Sequence, residues 1–390
     1  MEHLCAQCAT VADKHCTGCH DCPTQDLSSS DSTFYCSVKC QKAHRKIHKT
    51  ECNAALQRKI LVSVADTAYK CIFELRKLMF EMPLVGPVER KDGKLLFNTS
   101  NESGTKLRYP TGQSYELPEP LWSSICEKDQ QSILAFRACE EAIVLLEPLL
   151  QHMLTADDGD IMKPGTTMTA LPTVFGNYPF TTHDVLDGVP DYVEEGKVCD
   201  EHTVIKLTLK SGQHFILDFT GAQYGIFDHV QPLGKFLDEH VVTVSLPHPI
   251  SRLRVALETT VDQTGQISSL MKRTRLINNI LETYLDFIFK KFPNPIAGVK
   301  TSRDAELKAW LDTVATTYHA AAIDVVHLVD PLANISSERR IIGNEGKRLF
   351  AEFHNVKPMS LFEMFSASIQ TFNRDPDDED MEKLFAKLTW

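Results

Sequence analysis

The chain lacks most of the features that would assign a function at sight. No apolar run approaches the ~18 residues a membrane span requires. The N-terminus, MEHLCAQC, has no basic segment leading into an apolar one, so no secretory leader is expected. Basic charge is in deficit: 41 Lys and Arg against 52 Asp and Glu leave a formal net charge of −11. That balance argues against a general binder of nucleic acid or of an anionic membrane. There is no GxxxxGK[ST], no GxGxxG after a strand, no HExxH and no GxSxG. Phosphate-loop, dinucleotide, zincin-type and serine-hydrolase chemistries therefore have no anchor. No internal repeat and no sustained heptad pattern is present.

What is present begins with a globular composition, 43% hydrophobic and 24% charged, over 390 residues. That is enough to bury a sizeable core in one large or two ordinary domains. Cysteine is distributed unevenly: eight of the twelve lie within the first 52 residues, while Cys71, Cys126, Cys139 and Cys199 are scattered. The clustered ones are paired with short spacers: Cys5-x2-Cys8, Cys16-x2-Cys19, Cys36-x3-Cys40 and His48-x3-Cys52. A two-residue turn or one helical turn lets both members of a pair reach one ion, and that is what a tetrahedral zinc site needs. Clustered thiols in a chain without a leader point to metal rather than disulfides, and so to a reducing intracellular setting, cytoplasm or nucleus. If Cys36 to Cys52 is helical, Cys40 and His48 are about 12 Å apart along the axis, too far for one ion with ligand bonds of about 2.0–2.3 Å. Two Zn²⁺ ions are therefore expected, each completed by an upstream CxxC pair.

The run Tyr35-Cys36-Ser37-x-x-Cys40-Gln41, then His48-Lys49-x-x-Cys52, with two CxxC pairs before it, resembles a MYND-type zinc finger. The resemblance implies a cross-braced arrangement in which Cys5, Cys8, Cys36 and Cys40 hold one zinc and Cys16, Cys19, His48 and Cys52 the other. It also implies a module that binds protein partners. Cys22 forms an overlapping Cys19-x2-Cys22 pair and allows a shifted set, and His44, one turn from Cys40 and from His48, is a competing ligand; the family spacing favours the first set. The stretch His20 to Phe34 is longer than in compact members and reads as a mobile loop. Arg45 stands where members that grip proline-containing peptides carry a Trp, so the usual indole grip is not expected. Lys39, Lys42, Arg45, Lys46 and Lys49 read as counter-charge to seven thiolates and two Zn²⁺, a net of about −3, rather than as a nucleic-acid stripe.

The expected fold class is α+β, with a small double-zinc finger (1–52) and a larger, mainly helical body (53–390) containing antiparallel hairpins. The body divides into a helical part (53–154), a hairpin-containing part (155–247), a second helical part (248–372) and an acidic tail (373–390). Leu61, Ala65, Ala68, Ile72, Leu75 and Met79 define a helix face. VERKDGKLLF (88–97) reads as a hairpin turning at Asp92-Gly93. Residues 129–147 read as one helix with Ala135, Cys139, Ala142 and Leu146 on one face, which makes Cys139 a core residue. Thr155 to Pro179 reads as loop-rich. Residues 203–219 read as a hairpin about Ser211-Gly212, pairing Ile205 with Phe219, Leu207 with Leu217 and Leu209 with Phe215. Its continuation, GAQYG (221–225), resembles fungal proteins that place a MYND finger before a body of no known activity. Further helices are expected over Ile277–Ile288, Leu307–Val325 and Met359–Phe372.

Enzymatic readings were weighed. The NHS and GEE signatures of SET methyltransferases, a familiar companion of MYND fingers, are absent. His202 and Asp218 faintly resemble the His–Asp half of papain- or transglutaminase-like folds, in which Cys139 or Cys126 would be the nucleophile of a hydrolase or acyl transferase. The pairing above sets Asp218 opposite Lys206 and leaves His202 roughly 13 Å further along. A structural hairpin is therefore the favoured reading, and no catalytic or cofactor-binding residue is assigned beyond the zinc ligands.

Overall fold

A computed structural model describes residues 2–80, 84–91, 94–99, 117–154, 161–162, 168–175, 182–186, 189–190, 201–259, 281, 285 and 304–329. The fold is α+β. In the finger, β1 (Lys14–His15) pairs with β4 (Phe34–Tyr35), and β2 (Cys22–Pro23) pairs with β3 (Ser30–Asp31). Helix α1 follows as a single 41-residue rod, Val38–Leu78, about 60 Å long. Ser37 caps it by accepting from the Cys40 amide at 3.2 Å. Its first turns hold finger residues, and its later turns bury Leu61, Ala65, Ala68, Ile72 and Leu75, as their spacing predicts, with Met79 buried at the C-cap.

The finger and body are joined along this helix. Arg58, 3% exposed, donates from Nε to the Pro23 carbonyl at 2.9 Å and from Nη1 to Gln213 Oε1 at 3.0 Å. Lys59 Nζ donates to the His20 carbonyl at 3.3 Å. The stretch expected as a mobile loop is instead the β2–β3 hairpin, hydrogen-bonded onto α1. Its turn is closed by Thr24, whose hydroxyl bonds Asp26 and whose amide bonds the Ser29 carbonyl.

In the body, β5 (Leu84–Lys91) and β6 (Lys94–Thr99) form an antiparallel hairpin with Lys91 opposite Lys94, and Asp92-Gly93 lie outside the described residues. Three helices follow: α2 (Leu121–Ser124), α3 (Glu127–Ala135) and α4 (Cys139–Leu154). The single helix expected over 129–147 is thus broken at Phe136-Arg137-Ala138, where Arg137 has φ 55°. Tertiary bonds override helix propensity there. The Arg137 amide donates to Gln223 Oε1 at 3.1 Å, and the Ser132 hydroxyl donates to the Ala222 carbonyl at 2.8 Å. Cys139 therefore opens a helix rather than sitting within one.

The larger sheet contains β7 (Thr169–Phe175), β10 (Glu201–Thr208), β11 (His214–Leu217), β12 (Val230–Pro232) and β13 (Val241–Val244), ordered β12-β11-β10-β7-β13, with β14 (His248–Pro249) also on β7. Strands β8 (Thr182–Leu186) and β9 (Val189–Pro190) extend the β5–β6 sheet. Strand β7 occupies Thr169–Phe175 within the stretch expected to be loop-rich, Thr155–Pro179. Pro172, which argues against a central strand, sits where the outer ladder is interrupted between β13 and β14, and its carbonyl accepts from the Ser245 amide at 3.0 Å.

The β10–β11 register differs from expectation: Ile205 pairs with Leu217 and Leu207 with Phe215. The pairing runs on to Leu209 and Gln213, leaving a three-residue loop whose last member, Gly212, has φ 85°. Three-residue loops place their left-handed residue last, so the turn begins one residue earlier than expected. Side-chain parity survives, but Asp218 now falls beside Val204.

Helices α1 and α4, then α6 (Ile250–Thr259) and α7 (Asp304–Val329), share one core with Ala170, Ile205, Leu207, Phe215 and Leu217 of the sheet. Leu307, Leu311, Val314 and Tyr318 of α7 are buried as expected. A second cluster (Leu171, Phe175, Val204, Ile216, Tyr224, Ile226) packs with Phe236 of α5 (Leu233–His240). Leu281 and Leu285 are buried and helical, whereas the Met359–Phe372 segment and the acidic tail lie outside the described residues.

Candidate metal centres

The Cys5–Cys8 pair is folded by a tight turn in which the Ala9 amide donates to the Cys5 carbonyl at 2.8 Å, with Ala9 at φ 57°. This brings both thiols against the start of α1. Sγ separations are 3.5 Å for Cys8–Cys36, 3.5 Å for Cys36–Cys40 and 3.8 Å for Cys40–Cys8. In the second group Cys16 and Cys52 are 3.8 Å apart, and Cys19 Sγ is 3.3 Å from His48 Nε2. Within each of the two groups of four, all ligand atoms lie within 4.8 Å of one another.

These distances fit one ion per group. With Zn–S bonds of about 2.3 Å, a tetrahedron has sulfur–sulfur edges of about 3.8 Å, and a sulfur–nitrogen edge of about 3.5 Å. They do not fit disulfides, which need about 2.05 Å. Each group has four protein donors and no open position, the mark of a structural rather than a catalytic site. Gly18, inside the second CxxC, leaves little room for a side chain: a Cβ there would stand 3.1 Å from Cys52 Sγ.

Without a cation the thiols compete for ionisation. Hydrogen bonding from Cys52, aided by Thr33 and by His48, holds Cys19 down to about 5 despite burial, and the same contact with Cys19 pushes Cys52 far up. In the first group the Thr10 hydroxyl and the Cys40 thiol lower Cys36, whereas Cys40, though bonded by the Ser37 hydroxyl, is pushed by Cys36 up to about 11. A divalent ion removes this competition, because every thiol ligand binds deprotonated.

The structure therefore brings together all eight residues singled out from the sequence, in the two interleaved sets. Cys22 is buried in β2 and stands outside both groups. His44 also stands outside them, with Nδ1 3.1 Å from the Tyr35 hydroxyl. Each group thus joins two sequence-distant pairs in a closed set of four donors. Residues 5–52 match the MYND finger family, so the N-terminal unit is a MYND-type zinc finger that binds two Zn²⁺. Neither the curated proteins nor the solved structures yield a significant match to the chain. Among the described residues no helix is long and apolar enough to cross a membrane.

Cys126, His202 and Asp218 lie outside both metal groups. Cys126, at the N-cap of α3, is exposed and belongs to neither group. His202 Nε2 lies 2.9 Å from Asp218 Oδ1, with both residues buried. The 13 Å separation inferred from the expected register is thus wrong: one residue of turn shift makes the two diagonal neighbours across β10 and β11, which long side chains can bridge.

Proposed function

We propose that residues 1–52 are a structural two-zinc module, that 53–390 form the body it is built into, and that the finger's task is to dock protein partners. Cys5, Cys8, Cys36 and Cys40 are assigned to one ion, and Cys16, Cys19, His48 and Cys52 to the other. The observation carrying this reading is the interleaving of two closed four-donor groups, since neither site offers an open position for chemistry. When bound, each zinc supplies cross-linking charge neutralisation, and the chain's own residues supply the surface. On that surface Val38 and Ile47 of α1 are 54% and 75% exposed, and Leu4 and Val11 are each 61% exposed. Lys39, Lys42, Arg45, Lys46 and Lys49 lie on the same helix, so apolar partner segments flanked by acidic residues suit it. With Arg45 in place of an indole, recognition rests on these exposed apolar and basic side chains, with Ile47 on the side of α1 opposite Val38. Seven free thiols among the eight donors support an intracellular setting.

Metal analysis of the full chain purified under reducing conditions should return two zinc per protein. Cys16→Ser and Cys40→Ser should each lower that to one, whereas Cys22→Ser should leave two. One zinc in the parent chain, or loss on Cys22→Ser, would refute the assignment. For the docking role, Ile47→Asp should abolish capture of partners held by the parent chain while zinc stays at two. Partners retained equally by Ile47→Asp would overturn that part.

A further inference from the structure

The body contains a group of side chains that the finger does not explain. The Cys139 thiol is close enough to the His202 ring to bear on its charge. The ring's Nδ1 is buried and makes no hydrogen bond. The other ring nitrogen, Nε2, is engaged by Asp218. Asp218 is itself oriented by the Thr220 amide, which donates to Oδ1 at 3.1 Å. Space for its carboxylate exists only because residue 221 is glycine: a Cβ there would stand 2.5 Å from Oδ2. His202 packs against both Phe175 and Tyr224, with ring centroids 4.8 and 5.1 Å away.

The segment before Cys139 is fastened to the segment after Asp218. The Arg137 amide bonds Gln223, and the Ser132 hydroxyl bonds the Ala222 carbonyl. From the other side Arg76, buried on α1, donates to the Leu134 carbonyl at 3.0 Å and pairs with Glu141 at 2.8 Å. The helix break is therefore held from two directions, and it sets Cys139 at the first position of a 16-residue helix. Amides of a first helical turn have no intrahelical acceptor and face developing negative charge favourably. Cys139 is half-buried, while His202 and Asp218 are covered, so the thiol is the accessible member of the group.

We propose that Cys139, His202 and Asp218 form a thiol-dependent acyl-transfer site whose substrates are carbonyl acyl donors: esters, thioesters or amides. Cys139 is the nucleophile, His202 the proton carrier through Nδ1, and Asp218 the positioning residue. The thiolate sulfur adds to the carbonyl carbon, and the resulting oxyanion faces the first turn of α4. As the tetrahedral species collapses, the bond to the leaving heteroatom breaks and His202 passes it a proton. A thioester remains on Cys139. Water or an amine then adds, giving its proton to His202, and the carbon–sulfur bond breaks to release acid or amide and restore the thiolate. Burial opposes charge on His202, but the adjacent Asp218 carboxylate and the Cys139 thiol raise its pKa to about 10.

The test uses the zinc-loaded full chain and p-nitrophenyl acetate, with acetylation located by peptide mass mapping. Cys126, the more exposed thiol without a described imidazole partner, is the internal control. Accessibility alone would make Cys126 react faster. The proposed site makes Cys139 acetylate about 100-fold faster, the scale of a positioned proton-transfer partner. His202→Gln should bring Cys139 to the Cys126 rate, and Cys139→Ala should abolish the fast phase of nitrophenol release. Asp218→Asn should lower the ultraviolet thiolate absorbance, read against Cys139→Ala, a change that a packing role alone would not produce. Cys139 reacting no faster than Cys126 in the parent chain overturns the proposal whether or not any variant folds. Two-zinc content is unaffected by either outcome, so failure here leaves the finger assignment standing.

Discussion

Arg58→Met tests whether finger and body are one cooperative structure. The guanidinium is 3% exposed and spans three partners: Pro23 in the finger hairpin, Gln213 in the β10–β11 turn and Glu51 on its own helix. Methionine keeps much of the apolar stem and removes every donor. The Glu51 side chain is 68% exposed, so that pair contributes about 0–1 kcal/mol. Hydrogen bonds from a charged donor contribute about 1.5–3 kcal/mol each. Part of this is recovered if water reaches the Pro23 carbonyl and Gln213, so the net loss should be about 2–4 kcal/mol. Urea unfolding under zinc-saturated conditions measures it, with Glu51→Ala as the control expected within about 0.5 kcal/mol of the parent. Amide exchange supplies the location. Thr24, bonded to the Ser29 carbonyl, and Ser211, bonded to Gln57, should both lose protection, although one lies in the finger hairpin and the other in the β10–β11 turn. A stability change inside about 0.5 kcal/mol with unchanged exchange at both amides would refute the coupling.

Gly221→Ala should displace the Asp218 carboxylate, because the new methyl would meet Oδ2 at 2.5 Å and Ile226 at 3.1 Å. A destabilisation of about 1–3 kcal/mol is expected from overpacking, together with slower Cys139 acetylation; wild-type values of both would sink the cradle argument. Burial lowers His152 from 6.5 to about 4, so the folded state resists a proton that the unfolded chain accepts. Its stabilising contribution is present above pH 6.5 and is lost as pH falls towards about 4. His152→Gln should flatten the stability–pH slope in that window relative to the parent chain, and parallel slopes would refute it. Zinc loss at acid pH affects both proteins alike and drops out of the comparison.

The finger was legible because its chemistry is local. Spacers of two or three residues place ligand pairs, and the rise of a helix forces Cys40 and His48 onto different ions. The pairing of distant CxxC motifs came from family resemblance, and the fold brings those same residues together. The helix face from Leu61 to Met79 and the burial of Leu307 to Tyr318 followed from periodicity, which registers apolar burial directly. What sequence could not supply was anything decided by a contact across the fold. The break before Cys139 depends on Gln223 and Ala222, more than eighty residues further along the chain. The β10–β11 register depends on which residue takes the left-handed turn position, and parity arguments tolerate a two-residue slip in pairing. Pro172 enters a central strand only because the neighbouring ladder opens beside it. Local patterns thus determined the metal sites and the core faces. The meeting of Cys139, His202 and Asp218 was decided by tertiary hydrogen bonds, which have no period to read.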